Sequence, residues 1–222
     1  MSKKSKLILR HPAAIRVLHW SNMISITLLI LTGFYIHSPL QFTLFSSMDT
    51  PRMIHFIFMW VLMFGTVGRV WYAIYTKDYN NVMFRLSDIK DFWSLGKYYL
   101  FISDKHPDYG KYNPGQKAMY TGVLFMIIIQ VITGFIMYMP TELGTWAYAL
   151  GGPLVVRLIH YCVTWLFILC VLVHVYLDVA EGVPVLKSIF TGTIPEDFHA
   201  DVKIPRPSKV QRPDQGKGTM SA

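Results

Sequence analysis

Four long apolar stretches constrain this chain more than any other feature of its sequence. They run from about Val17 to Ile36, Met53 to Ile74, Met119 to Met139, and Leu154 to Val179. A helix needs about 20 mostly apolar residues to cross the hydrocarbon core of a bilayer. Charged residues make up only 15% of the chain, against about 25% in a typical soluble domain. We therefore expect an all-α integral membrane protein, a bundle of four transmembrane helices.

The basic residues predict on which side of the membrane each connection lies. Residues 38–51 and 140–156 contain no Lys or Arg, whereas the remaining connection and both terminal segments are rich in them. By the positive-inside rule, both termini and the middle connection, at about residues 76–116, are cytoplasmic. The net charge of +8 is therefore a topology signal. We expect contact with anionic membrane lipid and no nucleic acid.

The middle connection is too long for a bare turn. Its stretch from Leu86 to Phe101 mixes aromatic and apolar residues with charges, which favours an amphipathic helix at the membrane interface. Residues 193–222 are rich in Pro, Lys and Asp, and we expect a tail that is disordered or lies on the cytoplasmic surface. The membrane domain accordingly covers residues 1–192.

The two cysteines limit which redox groups the chain can hold. Cys162 and Cys170 both lie in the fourth apolar stretch, and no CxxCH motif is present, which excludes covalent c-type haem. Two cysteines are also too few for the thiolate ligands of an iron–sulfur cluster. We expect both to be small packing residues.

Four histidines lie within the predicted spans: His19, His55, His160 and His174. A single membrane histidine is often a packed core residue, but ionisable residues at this depth are costly and are functional by default. The first span starts in the cytoplasm, so His19 lies near that side. The second and fourth spans start in the periplasm, so His55 and His160 lie near the periplasmic side. His174 follows His160 by fourteen residues, about 21 Å along the same helical face, and returns to the depth of His19.

The depths therefore pair His19 with His174 and His55 with His160. Two facing imidazoles at one depth of an apolar bundle are what a six-coordinate haem requires. We expect two b-type haems. A zinc or copper site is disfavoured because the two pairs are too far apart to share one ion. The alternative is a haem-free membrane carrier or scaffold with four core histidines.

Three of these histidines have an arginine three residues before them, one helical turn nearer the membrane surface. We expect Arg16 to bind the propionates of the cytoplasmic haem, and Arg52 or Arg157 those of the periplasmic haem. Ordinary anchoring at the membrane interface is the alternative for all three.

Several of these segments resemble known families. Arg16-Val-Leu-His-Trp20, running on to Leu31-Thr-Gly33, resembles the first signature of nickel–iron hydrogenase b-type cytochrome subunits. Arg157-Leu-Ile-His160, Trp165 and His174 resemble the second signature. The departures from the usual residue types are Ser21, Tyr161 and Cys170.

A related family shares the bundle. Gly110-Lys-Tyr-Asn-Pro-Gly-Gln-Lys117 and Ile132-Thr-Gly-Phe135 are similar to segments of the gamma subunit of membrane formate dehydrogenases. The two resemblances cover about residues 10 to 192 and imply the same four histidine ligands. The formate dehydrogenase resemblance also implies a quinone site at Asn113, Gly115, Gln116 and His174. A helix N-cap at Asn113 is the alternative for that segment.

Together the resemblances imply a membrane-anchoring dihaem cytochrome b subunit in the prokaryotic cytoplasmic (inner) membrane. It would take electrons from periplasmic iron–sulfur and catalytic subunits, preferably of a nickel–iron hydrogenase, and pass them through two haems b to menaquinone or ubiquinone. The fuel would be oxidised in another subunit. The gamma subunit of a formate dehydrogenase is the first alternative, and a stand-alone cytochrome b is the second.

Overall fold

The structure, a computed structural model, describes residues 6–38, 44–100, 102, 112–180, 182–196 and 198. The long helices are α1 (Ala13–His37), α2 (Asp49–Tyr75), α5 (Pro114–Tyr138) and α7 (Pro153–Ala180). The short elements are β1 (Leu7–Leu9), α3 (Tyr79–Val82), α4 (Asp88–Tyr99), α6 (Gly144–Ala149), α8 (Val183–Thr191) and β2 (Thr193–Pro195).

The four long helices are the predicted spans. Within the described residues, these four are long and apolar enough to cross a membrane, so the prediction of a four-helix membrane bundle is confirmed. Three of them begin about one turn before the apolar stretches, at Ala13, Asp49 and Pro114, and α7 begins one residue before its stretch. Hydropathy detects only the part of a helix in hydrocarbon, whereas the first turns can lie in the headgroup region.

Large apolar side chains point outward from every span. Leu31 of α1, Phe64 of α2, Phe125 of α5 and Leu172 of α7 are 61%, 66%, 62% and 64% exposed. A soluble protein rarely exposes large contiguous apolar patches. This outward apolar surface is what helices need when their solvent is lipid.

The centre of the bundle is an apolar core. Leu62 of α2, Ile127 of α5, and Val163 and Phe167 of α7 are buried together, with residues of α1 packed against them. Val163 and Phe167 lie between His160 and His174 along α7. The core therefore separates the two levels at which the helices carry histidines.

The segments flanking the bundle meet at one end. Strand β1 pairs antiparallel with β2, with Ile8 opposite Ile194. The amides of Arg10 and His11 both donate to the carbonyl of Gly192, which ends α8 in the left-handed region at a φ of 86°. The predicted tail thus begins with a strand, because residues 193–195 find a backbone partner in the N-terminal segment. Residues 197 and 199–222 of that tail lie outside the described residues.

The predicted amphipathic helix corresponds to α4. Leu95 is buried, at 3% exposed, whereas Trp93 is 73% exposed. The Asp88 carboxylate accepts hydrogen bonds from the Arg85 amide (2.8 Å) and from Lys117 Nζ of α5 (2.9 Å). These contacts join α4 to the start of α5. Its location at the membrane interface stays a prediction, and residues 101 and 103–111 of the connection lie outside the described part.

Candidate functional site

The four span histidines form two pairs in the structure. The ring centroids of His19 on α1 and His174 on α7 are 6.1 Å apart, and we call these residues the lower pair. Those of His55 on α2 and His160 on α7 are 6.4 Å apart, and they form the upper pair. These are the pairs that depth predicts from the sequence. Their role as haem ligands stays a prediction.

The spacing within each pair fits one iron between two imidazoles. An imidazole nitrogen lies about 2.0 Å from a first-row metal ion, so two rings on opposite sides of one ion have centroids roughly 6 Å apart. Among the described residues, no group of three or more His, Cys, Asp or Glu side chains could hold a bare ion. A haem needs only two axial ligands from the protein, and each pair offers two.

Each ring of the upper pair contacts a buried threonine on a neighbouring helix. Thr32 Oγ1 on α1 lies 3.0 Å from His55 Nδ1, and Thr133 Oγ1 on α5 lies 2.8 Å from His160 Nδ1. The sequence gives one signal for these threonines, the Thr-Gly-Phe that occurs at residues 32–34 and again at 133–135. The histidine pattern alone does not identify them as site residues.

The glycine after each threonine lets its helix approach the ring. A Cβ atom on Gly33 would lie 3.3 Å from His55 Cε1, and one on Gly134 would lie 3.6 Å from His160 Cε1. Small residues in membrane helices permit such close approach. The upper pair is therefore enclosed on both sides by a Thr-Gly step.

The lower pair has different neighbours. His174 Nε2 lies 3.5 Å from the Asp178 carboxylate, one turn further along α7. His19 is flanked by Trp20, whose ring packs on Phe190 of α8 at 4.7 Å between centroids. The lower pair thus has a carboxylate beside it, where the upper pair has hydroxyl groups. Asp178 follows His174 at the i+4 spacing, which is its signal in the sequence.

The three arginines differ in their surroundings. The Arg16 guanidinium donates to the carbonyl of Phe190 near the end of α8, while its Nε is buried without a hydrogen-bond partner. Arg52 and Arg157 are exposed. Within the part of the chain that the structure describes, neither guanidinium makes a hydrogen bond or ion pair.

The segment predicted to bind quinone starts α5 with a capping box. Asn113 Oδ1 accepts from the Gln116 amide at 2.8 Å, and Gln116 Oε1 accepts from the Asn113 amide at 3.1 Å. Both side-chain oxygens are therefore used in capping the helix, as the N-cap alternative predicts. A Cβ atom on Gly115 would lie 3.3 Å from Asn113 Oδ1 and from Leu95 of α4. A quinone role for these residues stays a prediction.

His37 takes no part in either pair. Its ring stacks on that of Tyr161, with the centroids 4.7 Å apart. It lies at the end of α1, beyond the upper pair. This arrangement makes His37 a natural reference residue for experiments on the paired histidines.

Comparison with known proteins finds relatives over most of the chain. The family model described as prokaryotic cytochrome b561 matches residues 10–192. The chain is 29% identical to a probable Ni/Fe-hydrogenase B-type cytochrome subunit of Azotobacter vinelandii, covering 86% of this chain and 88% of the relative. It is 26% identical to the protein of that name in Cupriavidus necator, covering 86% and 87%. It is also 25% identical to the probable Ni/Fe-hydrogenase 1 B-type cytochrome subunit of Escherichia coli K12, covering 82% and 88%.

Proposed function

Because this chain belongs to the prokaryotic cytochrome b561 family, we propose that it is a dihaem cytochrome b that anchors a periplasmic nickel–iron hydrogenase and passes its electrons to quinone. The chain is a multi-pass protein of the prokaryotic inner membrane, with four helices able to span it. One observation carries the proposal: two histidine pairs, with ring centroids 6.1 and 6.4 Å apart, at opposite ends of one apolar core.

The proposal assigns one haem b to each pair. His55 and His160 hold the haem nearer the periplasm, and His19 and His174 hold the haem nearer the cytoplasm, with the orientation taken from the positive-inside rule. Haem b supplies a one-electron redox couple at each depth. The four ligands come from α1, α2 and α7. Haem binding would therefore also link α1 and α2 to α7.

The side chains of the apolar core fill the space between the pairs that electrons cross. The pairs are about 21 Å apart along α7, from the helical rise over fourteen residues. Moving one electron toward the negative side costs about 2.3 kcal/mol per 100 mV of membrane potential. If quinone then takes its protons from the cytoplasm, the transfer adds to the proton-motive force.

The exposed arginines support the placement of the periplasmic propionates. Arg52 and Arg157 each lie one turn before a histidine of the upper pair, and both are exposed. A guanidinium offers a planar fork of donors that matches a carboxylate. Arg16 has the same spacing from His19, and its buried Nε remains for the cytoplasmic propionates after the Phe190 contact.

The proposed quinone site lies where α5 begins and α7 ends. It comprises Asn113, Gly115, Gln116 and His174, with menaquinone or ubiquinone as the acceptor. Asp178, one turn beyond His174, lies close enough to Tyr120 on α5 for the two side chains to interact electrostatically. Tyr120 is two turns along the helix that Asn113 caps. That proximity supports placing both segments around one site.

The names of the relatives favour hydrogenase over formate dehydrogenase as the partner. All three are called Ni/Fe-hydrogenase B-type cytochrome subunits. The proposed partners are therefore the iron–sulfur and nickel–iron subunits of a periplasmic hydrogenase. They oxidise hydrogen, and the present chain carries the electrons onward.

A haem count tests the first part of the proposal. The chain is purified in mild detergent, and its dithionite-reduced minus oxidised spectrum is recorded with a pyridine haemochrome assay. We expect two haems b per chain, and His37→Gln, the reference variant outside both pairs, retains both. Folded protein without haem would overturn the proposal and leave the haem-free scaffold.

Purification of the tagged chain from its native host tests the partner. A co-purifying large subunit that contains nickel, with haem reduction on adding hydrogen, is the expected result. A molybdenum-containing partner with haem reduction by formate would indicate formate dehydrogenase instead. A haem-loaded chain with neither partner would indicate a stand-alone cytochrome b.

A further inference from the structure

We propose that Thr32 and Thr133 are matched positioning residues that fix His55 and His160 in the tautomer needed to bind iron through Nε2. This inference rests on the proposed function, because it concerns how the chain prepares its upper pair for haem. It assigns a role to two residues on α1 and α5, the helices that contact the rings of the upper pair on α2 and α7.

The hydroxyl protons determine the direction of these hydrogen bonds. Thr32 Oγ1 lies 2.6 Å from the carbonyl oxygen of Leu28, and Thr133 Oγ1 lies 2.7 Å from that of Ile129. A carbonyl oxygen can only accept a hydrogen bond. The single proton of each hydroxyl is therefore directed at its own helix, one turn back.

The side of each hydroxyl that faces the imidazole therefore presents a lone pair. His55 Nδ1, 3.0 Å from Thr32, and His160 Nδ1, 2.8 Å from Thr133, must then carry the ring proton and donate it. In a neutral imidazole only one nitrogen is protonated. Both Nε2 atoms are consequently left with free lone pairs, which is the form that binds a metal.

Burial makes these contacts selective for that form. Thr32 is 6% exposed and Thr133 is 3% exposed, so water does not readily replace the hydroxyl as acceptor. Partners of this kind set the tautomer and orientation of metal-binding histidines and raise their basicity. The adjacent Gly33 and Gly134 bring each helix against the ring. The two Thr-Gly steps therefore hold the ring proton on Nδ1 of each histidine and also fix the position of its ring.

The lower pair provides an internal comparison. Its neighbour in the described structure is the Asp178 carboxylate beside His174, rather than a threonine. Loss of either threonine therefore acts on the upper haem and leaves the lower haem as it was. A general loosening of the bundle would act on both haems.

The experiment compares Thr32→Val, Thr133→Val and the double variant in the full chain. The measurements are a potentiometric titration resolving the two haems, the low-spin electron paramagnetic resonance signals, and haem retention. Without the hydroxyl acceptor, the ring of His160 donates less electron density to ferric iron. The ring of His55 does so to a smaller extent, because the Leu29 carbonyl also accepts from it. The upper-haem potential therefore rises, more in the double variant, and haem affinity falls by about 10- to 100-fold. Thr32→Ser and Thr133→Ser retain the acceptor and stay close to the parent protein.

Thr27→Val is the matched control on α1. Its hydroxyl donates to the carbonyl of Met23, one turn back, at 2.9 Å, but is exposed and contacts no histidine among the described residues. Valine variants that hold two haems with unchanged potentials and spectra would overturn this inference while the proposed function stands. Parent protein without haem would overturn both. If a valine variant does not fold, Thr32→Ala and Thr133→Ala give the same comparison without the added methyl group.

Discussion

The ring of His19, two turns into α1, lies 6.1 Å from the ring of His174 near the end of α7. The first and last spans therefore meet at this pair. At the same end of the bundle, β1 pairs with β2 and α8 packs against Trp20. The lower pair thus lies at the end of the bundle where the two segments that flank it pack together.

Double substitutions test whether each histidine pair binds its own haem. His19→Ala and His174→Ala each remove the lower haem, so their combination loses no more haem than either alone. His55→Ala and His160→Ala behave in the same way at the upper site. Residues that share a partner are non-additive, whereas distant sites add.

A cross-pair variant, His160→Ala with His174→Ala, therefore loses both haems. The measurement is haem per chain by pyridine haemochrome, with a thermal melt to show that the protein is folded. If His19→Ala and His174→Ala removed different haems, the assigned pairing would be wrong.

Arg16→Gln is expected to loosen the end of α8. The guanidinium donates to the Phe190 carbonyl, and a hydrogen bond to a charged group contributes about 1.5–3 kcal/mol. Hydrogen exchange at residues 183–195 should then be roughly tenfold faster or more. Arg157→Gln, at the opposite end of the bundle, should leave that exchange unchanged. Loss of the lower haem with no change in exchange would instead assign Arg16 to the propionates alone.

The docking of α4 should depend on pH through Asp88. Partial burial acts to raise the pKa of Asp88, but the hydrogen bonds from Arg85 and Lys117 and their positive charges outweigh it. Its pKa therefore lies below the ordinary value. A carboxylate with a lowered folded-state pKa stabilises the fold above its unfolded pKa of about 4. That contribution is lost as the pH falls through the lower, folded-state value.

A spin label attached to Trp93→Cys reports this docking. Cys162 and Cys170 are replaced by serine so that only position 93 is labelled. The label should stay restricted from pH 7 to about 4 and become mobile below that. Asp88→Asn and Lys117→Gln should each make the label mobile at neutral pH. If Asp88→Asn kept the same acid transition in label mobility, that transition would belong to another titrating group.

Gly33→Ala should disturb the upper haem. The added Cβ atom would lie 3.3 Å from His55 Cε1, so the ring must move by a few tenths of an ångström, and an iron-bound ring resists that movement. We expect a changed low-spin signal for the upper haem and lower haem retention. Overpacking of this kind typically costs about 1–3 kcal/mol.

Gly122→Ala is the matched control for this substitution. A Cβ atom on Gly122 of α5 meets nothing within 4 Å, so that variant should keep both signals and be slightly more helical. Equal behaviour of the two alanine variants would show that the approach of α1 to His55 is not critical.

Local features of the sequence were sufficient to predict the spans and the histidine pairs. Apolar length identifies a membrane helix without reference to its neighbours. With four spans alternating in direction, the fixed helical rise gives the depth of His19, His55, His160 and His174. Depth alone assigns the pairs, and the structure has both of them. Leu86–Phe101 was likewise recognisable as an amphipathic helix from its composition.

The other contacts between helices could not be predicted in this way. Which face of α1 or α5 meets a ligand helix depends on packing, so the contacts of His55 with Thr32 and of His160 with Thr133 follow only from the tertiary structure. The same holds for Arg16, whose spacing indicated a propionate partner but which reaches the end of α8. The pairing of β1 with β2 joins segments from opposite ends of the chain. Helical rise fixes depth from the sequence alone, whereas rotation and lateral contact are set by how all the helices pack together.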